Sequence, residues 1–108
     1  MELKDKKCVP CEGGVEPFKE KEIREFKDKV DSDWDVIDNK KIKRKFPFKN
    51  FKESMAFVNK IADIAEEEQH HPDITIHYDE VEVELTTHAI KGLSENDFII
   101  ASKIDDLK

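Results

Sequence analysis

The chain lacks an excess of positive charge and lacks long apolar runs. Its 108 residues contain 26 acidic and 19 basic side chains, a net charge of −7. General binding to a nucleic-acid backbone requires a basic face, so no direct nucleic-acid partner is expected. No apolar run approaches the roughly 20 residues that span a bilayer, so no membrane partner is expected. The N-terminus has no apolar stretch after its lysines. We therefore expect no secretory signal, and we expect the protein to be cytoplasmic.

Cysteine is also scarce. Cys8 and Cys11 form one CxxC with no second pair, whereas a structural zinc site normally has four ligands. A redox CxxC is expected to open a helix after a strand, but this one lies in a segment with Pro10 and two glycines. We interpret the motif as incidental or accessory, with both thiols reduced in the cytosol.

The length fits one domain that buries roughly two-thirds of its unfolded surface. Residues 1–16 lack periodicity and are interpreted as an irregular arm, and 17–108 as a single domain. Apolar spacing predicts the order helix, hairpin, helix, hairpin, helix. The predicted helices cover 17–30, 50–69 and 94–107, and the predicted strands cover 34–37, 41–48, 74–78 and 81–85.

The second hairpin brings distant residues together. If Asp79 and Glu80 form its loop, Tyr78 pairs with Val81 and all apolar side chains share one face. Continuing this register places His71 opposite His88, beside the C-terminal end of the long helix. His77 lies about 20 Å along the strand and is set aside.

The end of the long helix opposes its own dipole. Three glutamates occupy the last turn, and His70 and His71 follow, just before Pro72. Cations are favoured there, so the simplest interpretation is a helix finished by histidine. The sharper hypothesis is proton transfer, since the imidazole has an unperturbed pKa near neutrality, about 6.5.

The neighbouring carboxylates also have two interpretations. Glu66 lies four residues before His70 and forms either a weak surface pair or an orienting group. Asp97 is explained by helix capping from Ser94, although a capped helix start can still face a cleft. Glu67 and Glu68 are expected to be solvated.

Two further alternatives concern a metal and the tryptophan. The histidines with a carboxylate could form a zinc set, but adjacent histidines usually diverge on an extended backbone, which disfavours a metal site. Trp34, the only tryptophan, is expected in the core or as a flat wall for a heterocycle.

Together these features resemble the pterin-4a-carbinolamine dehydratases over about residues 18–105. The resemblance rests on Glu66-x-x-x-His70-His71-Pro72, Tyr78, Thr87-His88, Gly92-Leu93-Ser94-x-x-Asp97, the segment 46–51 with the helix that follows it, and Trp34. The family pattern has Asn or Asp where this chain has Gln69.

The resemblance implies an α+β fold, with three helices on one face of a four-stranded antiparallel sheet. It also implies a homodimer or homotetramer and the dehydration of a 4a-hydroxytetrahydropterin, without a metal or redox cofactor. His70 and His88 would carry the acid/base work, and His71 would position the pterin. Glu66, Asp97 and Trp34 are the expected substrate-binding residues.

Two other functions remain open at this point. Some family members bind a homeodomain transcription factor and stabilise its dimer, which would make the chain a non-catalytic coactivator module. Alternatively, the same site would act on another pterin, such as a molybdopterin-related compound.

Overall fold

The computed structural model describes residues 2–9 and 16–107, which form an α+β fold. The elements are α1 (Glu20–Lys27), β1 (Asp35–Ile37), β2 (Lys41–Pro47), α2 (Phe51–Glu68), β3 (Asp73–His77), β4 (Glu80–Leu85) and α3 (Glu95–Asp105), with 3₁₀ turns at Leu3–Asp5 and His88–Ile90. The predicted order of three helices and two hairpins is confirmed. Within the described residues, no helix has both the length and the apolarity to cross a membrane.

The four antiparallel strands lie in the order β1-β2-β4-β3. Alternation along β2 and β4 sends one set of side chains into the core, where it packs with apolar residues of the helices. The fully buried strand residues are Ile42, Phe46, Val81, Val83 and Leu85. The opposite parity of the same strands carries lysines and glutamates, such as Lys43 and Glu82 at 3.3 Å. The outer face of these two strands therefore carries charged side chains of both signs.

Arg44 interrupts the apolar face of β2, yet the strand forms. The guanidinium Nη1 lies 2.6 Å from Asp105 Oδ1, and the group stacks 4.4 Å above the Phe46 ring. Pairing and stacking offset the cost of placing this charge at the edge of the core. The segment therefore keeps its strand register despite the polar residue.

The predicted register of the second hairpin is wrong by two residues. In the structure Ile76 pairs with Val81, and Ile74 with Val83, so the turn comprises Tyr78 and Asp79. A slip of two keeps the parity of every side chain, so hydrophobic alternation does not exclude it. Contacts from outside the hairpin fix the turn. The Phe48 N–H donates to Asp79 O at 2.7 Å, and the hydroxyl of Ser54, a buried residue of α2, donates to Tyr78 O at 3.0 Å.

The described part of the N-terminal arm, residues 2–9, lies along α3. Lys103 Nζ donates to Lys4 O at 2.8 Å, and Lys6 pairs with Glu95 at 2.6 Å. A hydrogen bond to Asp106 raises the pKa of the Lys4 ammonium group. Cys11 lies outside the described residues. These contacts connect the arm to both ends of α3.

Candidate active site

The end of α2 turns the two histidines in different directions. The helix ends at Glu68, and Gln69 adopts the left-handed conformation, with φ 54° and ψ 39°. The His70 N–H then donates back to Ala65 O at 3.2 Å, a closure typical of helix C-termini. Asn and Asp tolerate this conformation better than glutamine, because their short polar side chains bond locally. The turn directs His70 inward and leaves His71 exposed.

His70 is held by a buried carboxylate. Its Nε2 lies 2.7 Å from Asp97 Oδ1, with the side chains 12% and 0% exposed respectively. Asp97 Oδ2 accepts from the Thr87 hydroxyl at 2.8 Å and from the Ser94 N–H at 3.0 Å. Asp97 therefore caps α3, as expected, and also fixes the imidazole. Both oxygens of Asp97 are thus engaged inside the protein, Oδ1 with His70 and Oδ2 with Thr87 and Ser94.

His71 pairs with Glu66 at the surface. The two side chains are 57% and 74% exposed, and His71 Nε2 lies 2.6 Å from Glu66 Oε2. The predicted Glu66–His70 contact across one helical turn is not formed. It required the helix to continue to His70, whereas the left-handed Gln69 ends it first.

His88 reaches the same region by a route that differs from the predicted one. The shifted register ends the ladder at Asp73 and Glu84, so His88 is not paired opposite His71. His88 is instead an exposed residue at the start of the 3₁₀ turn His88–Ile90. This loop is closed by Thr87 N–H donating to Gly92 O at 2.8 Å.

Gly92 is required in that loop. A Cβ atom there would lie 2.5 Å from Pro17 Cβ, closer than side-chain atoms can approach. Any larger residue would push apart the loop and the segment before α1.

One cleft of about 600 Å³ gathers the three histidines. Its lining also includes the last turn of α2, residues 86–89, Asn96, and Cys8 and Val9 of the arm. A second cavity, of about 570 Å³, lies between the arm, the end of α1 and the end of α3, and it contains no histidine. The histidine cleft is therefore the candidate site for proton-transfer chemistry.

The family model for pterin 4 alpha carbinolamine dehydratase matches residues 16–107. The chain belongs to this family. A protein of Nitrosomonas eutropha, provisionally named a pterin-4-alpha-carbinolamine dehydratase, is 49% identical over 98% of this chain and 93% of its own. A protein of Rubrobacter xylanophilus with the same provisional name is 43% identical over 98% of both chains.

A solved structure is similar over nearly its whole length. The transcriptional coactivator/pterin dehydratase from Brucella melitensis superposes with a TM-score of 0.79 at 33% identity, covering 84% of this chain and 97% of that one. The residues matched by the family model include His70, just after α2, and Asp97 in the first turn of α3.

Trp34 does not line the histidine cleft. Its side chain is fully buried, and its indole N–H donates to Asp105 Oδ1 at 2.8 Å. The ring also packs edge-on against Phe46. The expected aromatic wall is therefore not formed by this residue, because its faces and its only donor are used in the core.

The expectation that Glu68 is solvated is also wrong. Its side chain is 5% exposed, and its carboxylate accepts from the Cys8 N–H at 2.8 Å. The arm covers this glutamate, and the position of an arm without periodicity was not predictable from the chain pattern. The buried role of Thr87 had one sequence signal, its place beside His88 in the family motif.

The described residues do not form a metal-binding group of the kind that the zinc alternative requires. Among residues 2–9 and 16–107, no three His, Cys, Asp or Glu side chains are grouped to hold an ion. His70 and His71 diverge toward Asp97 and Glu66 respectively. Each of these imidazoles thus has a nitrogen facing a carboxylate of its own.

Proposed function

We propose that this protein removes water from a 4a-hydroxytetrahydropterin and releases the quinonoid dihydropterin. The observation that carries the proposal is the His70–Asp97 pair, 2.7 Å apart, in a cleft shared with His71 and His88. Family membership supports the substrate class, since the family model and the named relatives refer to this reaction.

The reaction needs two proton transfers and no change of oxidation state. The N5 lone pair forms the C4a=N5 bond as the C4a–O bond breaks. An acid donates a proton to the departing oxygen, which leaves as water. A base takes the proton from N5, and the product is neutral. Groups that titrate near neutral pH perform both transfers efficiently, each contributing about 10²–10⁴-fold in rate.

His70 is the best-positioned of these groups. Asp97 accepts at Nε2, which favours the tautomer with hydrogen on that nitrogen and leaves Nδ1 for proton exchange with the ligand. His88, exposed on its 3₁₀ turn, is the second acid/base group. His71, held by Glu66, positions the pterin.

The wild-type protein is expected to accelerate conversion of synthetic 4a-hydroxytetrahydropterin to quinonoid dihydropterin. The product is followed by its ultraviolet absorbance, against the uncatalysed reaction in the same buffer. A rate equal to that background would overturn the proposal. Slow turnover of this compound beside fast turnover of a molybdopterin-related pterin would assign the same site to that alternative substrate.

We also propose that the protein self-associates. β3 is an edge strand, and Ile76 in it is 37% exposed. Phe51, at the start of α2, is 50% exposed. An unpaired strand edge and exposed apolar side chains each favour association with a second copy. Light scattering is expected to give the mass of two or four chains, and a monomer at micromolar concentration would contradict this.

A further inference from the structure

The N-terminal arm reaches the histidine cleft. Cys8 and Val9 are part of its lining, although residues 1–16 were predicted to lie outside the domain. Neither residue is used in the dehydration chemistry above. Their position raises the question of what the arm contributes to the ligand site.

Buried polar side chains of the domain hold the arm in place. The Glu68 carboxylate accepts from the Cys8 N–H at 2.8 Å. Asn96, 3% exposed, makes two hydrogen bonds to the Val9 backbone: its Oδ1 accepts from the N–H at 3.0 Å, and its Nδ2 donates to the carbonyl at 2.6 Å. Buried groups of this kind are costly without partners, so the domain is built to receive the arm.

Asn96 and Glu68, which hold the arm, are close in sequence to Asp97 and His70 respectively. Asn96 precedes Asp97 in the first turn of α3, and Glu68 is the last residue of α2, two positions before His70. The arm therefore connects the same two helix ends that the His70–Asp97 pair connects.

Three polar backbone groups of the arm are already engaged at this point. The N–H of Cys8 and both polar groups of Val9 bond to Glu68 and Asn96. What remains for a ligand is mainly side-chain surface, and the Val9 residue is 66% exposed at the cleft. A branched apolar side chain offers van der Waals contact to a flat heterocycle.

We propose that Val9 and Cys8 form an apolar wall of the pterin-binding site, and that Asn96 is the positioning residue that holds this wall. The inference rests on the proposed function for the identity of the ligand. The wall contributes to affinity for the pterin, while His70 and His88 set turnover.

Val9→Ser is expected to raise the KM for 4a-hydroxytetrahydropterin about five- to tenfold, as for loss of one apolar contact in a ligand site. The kcat is expected to stay within about twofold, because the histidines are unchanged. Val9→Ile preserves the apolar contact and is expected to keep KM near the wild-type value. Lys7→Ala is the matched control, since Lys7 is exposed on the same arm and does not line the cleft.

Asn96→Leu keeps the side-chain volume and removes both hydrogen bonds to Val9. It is expected to raise KM and to speed amide hydrogen exchange in residues 2–9. Because it acts through the wall, adding Val9→Ser to Asn96→Leu is expected to raise KM much less than in the wild-type background. Full additivity would overturn the positioning role. A thermal melt of each variant excludes loss of the fold as the cause.

Direct binding separates this inference from the proposed function. The probe is 6-methyl-7,8-dihydropterin, which has no 4a-hydroxyl to lose, and its fluorescence reports binding. A wild-type protein without dehydratase activity, whose Kd for the probe still rises about fivefold in Val9→Ser, would end the proposed function and support the wall. Normal dehydratase activity with KM and Kd unchanged in Val9→Ser would overturn the wall alone.

Discussion

Replacement of His70 by alanine is expected to lower the kcat for 4a-hydroxytetrahydropterin dehydration at least about tenfold, within the range of a lost acid/base group. In the proposed mechanism the Nδ1 of this side chain exchanges a proton with the ligand, while its Nε2 lies 2.7 Å from Asp97 Oδ1. Its removal leaves the cleft and the other histidines in place. Stopped-flow absorbance measures kcat, and circular dichroism checks the fold.

His77→Ala is the matched control for this variant. His77 is a histidine in β3, exposed and outside the cleft, so its loss is expected to leave kcat unchanged. His88→Ala is expected to lower kcat at least about tenfold as well, because the second proton transfer then loses its group. Wild-type turnover in both His70→Ala and His88→Ala would refute the assignment of the acid/base groups.

The fold follows from local pattern because periodicity decides each element separately. The alternation in β4 and the spacing in α2 are set by neighbours within one element, and the structure confirms both elements. The hairpin register is different. A slip of two residues leaves the buried set on the same face, and the choice is made by Phe48 and α2, which contact the turn from elsewhere in the chain.

The candidate site was predictable as a group of residues and not as a set of contacts. The unusual charge pattern at the end of α2 indicated the histidines as candidate site residues. The capping pattern after Ser94 indicated that Asp97 lies at the start of α3, where it can face a cleft. The partner of each histidine depends on one backbone conformation, that of the left-handed Gln69. Because the helix ends there, Glu66 pairs with His71 and not with His70. Local propensity for glutamine does not favour that conformation, so the tertiary contacts of His70 determine it.

The burial of two side chains also depends on distant parts of the chain. The sequence pattern predicted a solvated Glu68, and it left Trp34 open between a core position and a flat wall for a heterocycle. Burial of Glu68 depends on the arm, and burial of Trp34 depends on Asp105 at the far end of the chain. Neither contact leaves a periodic signal in sequence, because each joins segments that are 60 or more residues apart.

Asp97→Asn is expected to reduce both kcat and stability. The carboxylate accepts from His70, Thr87 and the Ser94 N–H. An amide has one acceptor oxygen and one donor NH₂. If the oxygen stays on the backbone donor, which cannot rotate, the NH₂ faces His70 Nε2. The imidazole must then accept there and carry its hydrogen on Nδ1, which removes the ligand-facing base.

The expected loss in kcat for Asp97→Asn is about ten- to a hundredfold, comparable to loss of a supporting group behind a histidine. A neutral amide accepts weaker hydrogen bonds from Thr87 and the Ser94 N–H than a carboxylate does, so the free energy of unfolding is expected to fall by about 1–3 kcal/mol. Urea denaturation measures the second effect. Ser94→Ala separates the two, because it weakens the cap by about 1 kcal/mol while the Asp97–His70 bond remains.

The decisive comparison places Asp97→Asn in the His70→Ala background. If Asp97 acts only through the imidazole, the double variant has nearly the kcat of His70→Ala alone, since the group that Asp97 supports is already absent. A further fall of tenfold or more would mean that Asp97 contacts the pterin itself. The complete burial of Asp97 and the engagement of both its oxygens favour the first outcome. In such a site one buried carboxylate determines which nitrogen of His70 carries the hydrogen, and therefore which nitrogen can accept a proton from the ligand.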